Sequence, residues 1–267
     1  MPDPVAFTLG SLSVRWYGIM AALGFLLASF VIYRLRHLVA NLTEDRASGV
    51  LFTAMLSGIA GGRIFYVIQF YERDFAHRPW YMTLRIDQGG LVFYGGMILA
   101  TLSIIVYSRL ARLDLLRLLD IFAPALPLAH ACGRIGCFLN GCCYGVPTDG
   151  AFGVHYPVGS EPFRHYGGAA LHPVQLYEAI ENILVFFLMY ALVKRTSRGT
   201  PTAMYLIVYG ILRFFNDSFR GDGAKWFGLL TPGQTVSILT ITAGAILLAI
   251  LHWQRRKNDG TAPRVSR

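Results

Sequence analysis

The chain has 267 residues, of which 54% are hydrophobic and 15% charged, and its mean hydropathy is +0.47. A soluble domain carries about 25% charged residues, so the composition argues against a soluble protein. The net charge of +9 would suit nucleic acid, but the cations flank apolar blocks rather than forming one patch, and no nucleic-acid partner is expected.

The apolar blocks are close to the ~20 residues that cross about 30 Å of hydrocarbon. In chain order the expected spans are 16–35, 48–70, 90–109, 118–139, 174–193, 202–219 and 234–253. The first opens on Trp16-Tyr17-Gly18, and the second carries Gly61-Gly62-Arg63. The third follows Gly89-Gly90 and begins with Tyr94-Gly95-Gly96. Asp120, Pro124, Pro127 and His130 interrupt the fourth; a span tolerates such groups where protein or a cavity satisfies the backbone. No sustained period-2 alternation supports a barrel. The expected fold is all-α: a polytopic membrane protein with about seven transmembrane helices. Longer extramembrane segments fall at 71–89 and 140–173, the latter a small periplasmic segment between spans four and five. Residues 1–253 read as one membrane domain and 254–267 as a basic tail. Residues 1–15 lack the basic start, short apolar core and cleavage site of a signal peptide, so the first span is expected to be the targeting signal.

The charges orient these spans. With the N-terminus outside the cytoplasm, the inner segments hold Arg34, Arg36, Arg46, Arg109, Arg112, Arg117, Lys194, Arg195, Arg198, Arg255, Arg256, Lys257, Arg264 and Arg267. The outer side holds Arg15, Arg73, Arg78, Arg85, Arg164, Arg220 and Lys225, half as many. That asymmetry follows the positive-inside rule, with attraction to anionic membrane lipid as a side effect.

Three arginines remain inside the spans: Arg63, Arg134 and Arg213. Each costs roughly 2.5–3.5 kcal/mol at the bilayer centre on insertion scales, so such residues face a cavity or a partner. Arg134 lies in His130-Ala-Cys-Gly-Arg-Ile-Gly-Cys137-Phe-Leu-Asn140-Gly-Cys142-Cys143-Tyr-Gly145, which holds all four cysteines. The cysteines read as small buried hydrophobes, a disulfide, or groups that shape a pocket. Their C-x4-C-x4-C-C spacing matches no common zinc pattern, so no metal site is expected. Arg134 has no acidic neighbour within one helical turn, which favours an anionic ligand over a structural ion pair. On a helix, Arg213, Asp217 and Arg220 share one face; they form either a self-satisfied triad or a phosphate site in which Asp217 holds guanidinium forks. Gln175 and Glu178 also share a face, and Glu178 is either a site residue or an arginine's partner. Tyr94 is either an interface tyrosine or an acid–base group, between glycines whose amides can reach a ligand.

These motifs, in this order over about residues 16–235, resemble the prolipoprotein diacylglyceryl transferase family. The resemblance rests on Trp16-Tyr17-Gly18, Gly61-Gly62-Arg63, Gly89-Gly90 to Gly96, Gly133-Arg134-Ile135-Gly136 with Phe138 and Asn140, His172-Pro-x-Gln175-Leu-Tyr177-Glu178, and Arg213-Phe with Asp217 and Arg220. It implies transfer of a diacylglyceryl group from phosphatidylglycerol to the lipobox cysteine thiol of a prolipoprotein, with glycerol phosphate leaving and no cofactor. It also implies seven spans in the bacterial cytoplasmic membrane, with the N-terminus periplasmic and the C-terminus cytoplasmic. Arg134, Arg213 and Tyr94 are then the expected catalytic residues. Arg134, Arg213, Arg220, Tyr17, Asn140, Gly145, Gly95 and Gly96 would bind phosphatidylglycerol, supported by Arg63, Gln175, Glu178 and Asp217. Many members carry a histidine, proposed as the base, where this chain has Tyr94, and Asn and Glu where it has Cys137 and Cys142. The proton acceptor is therefore open among Tyr94, Glu178 and Asp217. A transporter or flippase for an anionic lipid or metabolite is the alternative, since it also uses buried arginines and glycine-broken helices; no internal repeat favours it. A thiol–disulfide enzyme would want a C-x-x-C pair, which the chain lacks.

Overall fold

The computed structural model describes residues 4–10, 12–86, 89–221 and 229–260; of the cations counted above, Lys225, Arg264 and Arg267 lie outside the described residues. In chain order the elements are strands β1 (Val5–Leu9) and β2 (Leu12–Arg15), then helices α1 (Trp16–Leu35), α2 (Glu44–Asp74), α3 (Phe93–Leu110) and α4 (Leu115–Asn140). They continue with α5 (Glu161–Tyr166), α6 (Val174–Arg195), α7 (Thr200–Ser218) and α8 (Pro232–Gly260). The protein is mostly helical, as expected of a polytopic membrane protein.

Six helical segments are long and apolar enough to cross a membrane: Trp16–Leu38, Glu44–Asp74, Phe93–Leu110, Leu115–Asn140, Val174–Arg195 and Pro232–Lys257. The expected span at 202–219 corresponds to α7. Its 19 residues rise about 28 Å, but Arg213, Asn216 and Asp217 dilute its apolar character. The antiparallel β1–β2 hairpin pairs Phe7 with Val14 and Leu9 with Leu12, and the Trp16 amide donates to Pro4 O at 3.1 Å. Its strands are too short to stand out by periodicity. Helix α8 runs on to Gly260, so the first residues of the expected tail continue the helix.

The chain forms two compact units, residues 33–118 and residues 1–32 with 119–267. In the first, Thr43 caps α2 by accepting from the Arg46 amide at 3.4 Å, with Glu44 and Asp45 in the first turn complementing the helix dipole. Helices α2 and α3 meet at glycines. A Cβ on Gly95 would lie 2.6 Å from Gly61 O, and one on Gly96 would lie 2.9 Å from Gly58 O. The helix backbones are therefore in contact, the packing that small residues allow between membrane helices.

In the second unit, α4 passes through Pro124 and Pro127 without a break. Buried Asp120 has a structural purpose: it accepts from the Gly199 amide at 2.7 Å, the Thr202 amide at 3.2 Å and the Thr202 hydroxyl at 2.7 Å. It thus satisfies amides at the start of α7 that have no helical acceptor. The segment 141–173 gathers around Tyr144, Tyr156 and Leu171, with a backbone bridge between Val154 and Leu171.

Candidate active site

Three helices of the second unit bring their charges together. Arg134 Nε on α4 lies 2.8 Å from Glu178 Oε2 on α6. Arg213 on α7 donates through Nη1 to both oxygens of Glu178, at 3.0 and 3.2 Å. Its Nη2 lies 2.7 Å from Asp217 Oδ1, and Arg220 Nε lies 3.9 Å from the same oxygen. Three guanidiniums thus share two carboxylates, and the formal charge of that set is +1. The side chains of Glu178 and Asp217 are 4% and 5% exposed, those of the arginines 12–15%. At such burial the loss of either partner strands the other.

Asp217 is fixed from α8. It accepts from the Thr231 hydroxyl, and Gly233 stands against its carboxylate, where a Cβ would come within 2.7 Å. Thr231 and Gln234 form a capping box: the Gln234 amide donates to Thr231 Oγ1 at 3.0 Å and the Thr231 amide to Gln234 Oε1 at 3.1 Å. That reciprocal pair is what T-x-x-Q before an apolar run encodes.

Beyond Arg134, α4 ends in a Schellman turn. Gly141 takes the left-handed conformation (φ +70°), its amide donates to Phe138 O, and the Cys142 amide reaches back to Cys137 O, both at 3.1 Å. This motif sets the residue after the glycine against the last turn of its helix, which places Cys142 over Cys137. Cys143 also has positive φ (+61°). The sulfurs of Cys137, Cys142 and Cys143 all lie within 4.8 Å of one another. Thiol hydrogen bonds from Cys137 and Cys142, then the charges of Arg220 and Arg134, hold the Cys143 thiol well below its ordinary range. Gln175, fully buried, donates to Cys142 O at 2.8 Å and to the Tyr156 hydroxyl at 3.1 Å. Asn140 donates to Cys142 Sγ at 3.6 Å. Gly145 bridges Arg220 through the backbone, and Tyr17 packs against Gly136, where a Cβ would meet its Cα at 3.3 Å.

The remaining candidates belong to the other unit. Arg63 donates to four backbone carbonyls: Thr83 O at 2.7 Å, Met82 O and Gly89 O at 2.9 Å, and Gly90 O at 3.2 Å. It ties down the segment leading to α3. Gly95 and Gly96 face α2 as described. Tyr94 is half-exposed, 39%, with its ring edge-on to Phe93 at 5.8 Å; among the described residues its hydroxyl has no partner.

The structure therefore brings together Arg134, Arg213, Arg220, Glu178 and Asp217, with Asn140, Gly145, Gln175 and Tyr17 disposed along the end of α4 and its turn. It adds residues to which the sequence assigned no role in the site. His130 accepts from Arg134 Nε at 3.1 Å, one helical turn away, and its i, i+4 spacing is the signal that was available. Glu181 receives a hydrogen bond from Asn216 and lines a small cavity with Glu178, Asn182, Tyr209, Leu212 and Arg213. Asn182 Oδ1 is a buried acceptor with no donor among the described residues. Thr231 is visible only as a capping box.

Comparison with known proteins agrees with this arrangement. A family model described as prolipoprotein diacylglyceryl transferase matches residues 4–250. A protein of Finegoldia magna named phosphatidylglycerol–prolipoprotein diacylglyceryl transferase is 36% identical over 259 residues, 96% of this chain and 99% of its own. Proteins of the same name from Legionella pneumophila (strain Lens) and Nitrosomonas europaea are 34% and 36% identical, over 95% and 99% of this chain and 97% and 94% of theirs. With its apolar helices and its match along nearly the whole length, the chain is a multi-pass bacterial membrane protein that belongs to the prolipoprotein diacylglyceryl transferase family.

Proposed function

We propose that this protein transfers the diacylglyceryl group of phosphatidylglycerol to the lipobox cysteine thiol of prolipoproteins. The observation that carries the reading is the buried set of Arg134, Arg213 and Arg220 held on Glu178 and Asp217. Guanidinium forks bind phosphate oxygens bidentately and keep their charge. Arg134 and Arg213 take the phosphate in the ground state and the charge that grows on it as it leaves. Arg220, Tyr17, Asn140, Gly145, Gly95 and Gly96 complete the lipid site. Arg63, Gln175, Glu178 and Asp217 keep its parts in place.

The substrate thiol forms a C–S bond to the glyceryl carbon while the C–O bond to phosphate breaks, giving a thioether and glycerol phosphate. Glu178 and Asp217 are committed to the arginines, so Tyr94 is the group put forward to take or relay the thiol proton. None of the four cysteines is the nucleophile, because the reacting thiol belongs to the substrate. In this reading α7 also crosses the membrane, sixth in chain order and bringing the count to seven, the N-terminus is periplasmic and the C-terminus cytoplasmic. The charge asymmetry across the spans supports that orientation. Residues 1–253 form the catalytic domain and 254–267 its basic extension.

The test combines purified protein, phosphatidylglycerol and a lipobox-cysteine peptide, read by mass spectrometry. A diacylglyceryl adduct on the cysteine, with glycerol phosphate released, is expected. Intact lipid and unmodified peptide, with protein that is folded and in lipid, would refute the assignment.

A further inference from the structure

We propose that Cys137, Cys142 and Cys143 hold a thiophilic divalent metal ion, with zinc as the type, and leave one coordination position for the substrate thiol. This inference rests on the transferase reading and deepens it, since it names the device that activates the thiol.

Three sulfurs within 4.8 Å of one another are close to a metal geometry. At a zinc–sulfur bond of about 2.3 Å, three equatorial sulfurs stand about 4 Å apart, so less than an ångström of closure is needed. The backbone has already made the main adjustment. The Schellman turn folds Cys142 over Cys137, and Gln175 pins the Cys142 carbonyl at 2.8 Å. Among the described residues no His, Asp, Glu or further Cys completes the group. Structural zinc sites are closed by four protein ligands, whereas catalytic ones keep three and an open position. The charges also agree: three thiolates and a dication sum to −1, and the cationic Arg220 is bridged through its backbone to Gly145, two residues from Cys143.

The chemistry calls for such a device. A thiol with pKa near 8.5 is only a few per cent ionised at neutral pH, and a metal deprotonates a coordinated thiol outright. The substrate thiol replaces water on the ion, and its proton passes to water. A sulfur lone pair then forms the C–S bond to the glyceryl carbon. The electrons of the breaking C–O bond go to the phosphate oxygen, which leaves as glycerol phosphate between Arg134 and Arg213. Nothing is oxidised or reduced.

Full-length protein, purified under reducing conditions and stripped by chelator, is titrated with cobalt(II). A thiolate-to-cobalt charge-transfer band saturating at one ion per chain is expected. It should survive Cys132→Ser and fade in Cys137→Ser, Cys142→Ser and Cys143→Ser. A lipobox-cysteine peptide should shift the cobalt ligand-field bands, while its serine analogue should not. Zinc should raise transfer by the stripped protein roughly 10–30-fold, the gain available from ionising such a thiol. Stripped protein that transfers at full rate and gives no cobalt–thiolate band overturns the metal site and leaves the transferase reading standing. A disulfide among the three cysteines of the isolated protein overturns it too, and a band indifferent to the peptide overturns the open position. Bands that the peptide shifts, without transfer under any metal, support the site and count against the transferase reading.

Discussion

Glu178→Gln is the substitution that probes the charged set most directly. It keeps the shape of the side chain and removes the charge that Arg134 and Arg213 share. Arg213 retains Asp217 at 2.7 Å, so most of the loss falls on Arg134. Among the described residues Glu178 is its carboxylate partner, at 2.8 Å, and that glutamate side chain is only 4% exposed. Stranding one member of a buried ion pair costs about 3–5 kcal/mol. At 1.4 kcal/mol per decade, that is roughly two to three and a half powers of ten in the equilibrium that keeps Arg134 in position. Two measurements separate the consequences: thermal unfolding in detergent reports the stability cost, and transfer at varied phosphatidylglycerol reports kcat and KM. The Tm should fall, and at temperatures where the variant is folded KM for the lipid should rise with loss of kcat. Added phosphatidylglycerol should restore part of the lost Tm, because the lipid phosphate gives Arg134 a counter-charge. A variant with parental Tm and parental kinetics would falsify the claim that Glu178 positions the arginines.

Arg134→Lys and Arg213→Lys should each lose most transfer activity, since a point charge reproduces a bidentate fork poorly; a near-normal rate in either would refute the phosphate role. Tyr94→Phe keeps the ring and removes the hydroxyl, and a loss of about 10²–10⁴-fold is expected of a proton-transfer group. A rate equal to the parent's would remove Tyr94 from the proton path. Gly95→Leu forces a side chain into a site where even a Cβ lies 2.6 Å from the Gly61 carbonyl. Such overpacking costs about 1–3 kcal/mol or more, read as a lower Tm; an unchanged Tm would contradict the close crossing of α2 and α3. Asp120→Ala should destabilise by about 0.5–2 kcal/mol, as loss of a helix cap does, and its unfolding curve checks this.

The helices were legible because membrane spans announce themselves by length and apolar content. Each expected span coincides with a helix, including α4 through its two prolines. The β1–β2 hairpin was not, because four or five residues give no usable period. Within the site, the face shared by Arg213, Asp217 and Arg220 could be read from helical spacing alone. The partner of Arg134 could not: its nearest acid in sequence is remote, and Glu178 arrives from α6, more than forty positions on. Proximity along the chain was the wrong criterion for a buried charge whose partner sits on a neighbouring helix. The cysteines teach the converse. Their spacing fits no familiar ligand pattern, yet a left-handed glycine at the end of α4 turns a linear string into a cluster.

Helix α7 has a consequence for how the protein is made. It carries Arg213, Asn216 and Asp217, and an arginine or aspartate at the centre of an isolated helix adds roughly 2.5–3.5 kcal/mol to its insertion. Its first amides are satisfied by Asp120 of α4 and its arginine by Glu178 of α6, both synthesised earlier. Taken as the sixth of seven spans, the reading proposed above, a nascent α7 leaving the translocon finds its counter-groups already waiting. Biogenesis becomes sequential: α4 and α6 act as an intramolecular chaperone for the helix that follows, and damage to either should appear first as misinserted, protease-cleared chains.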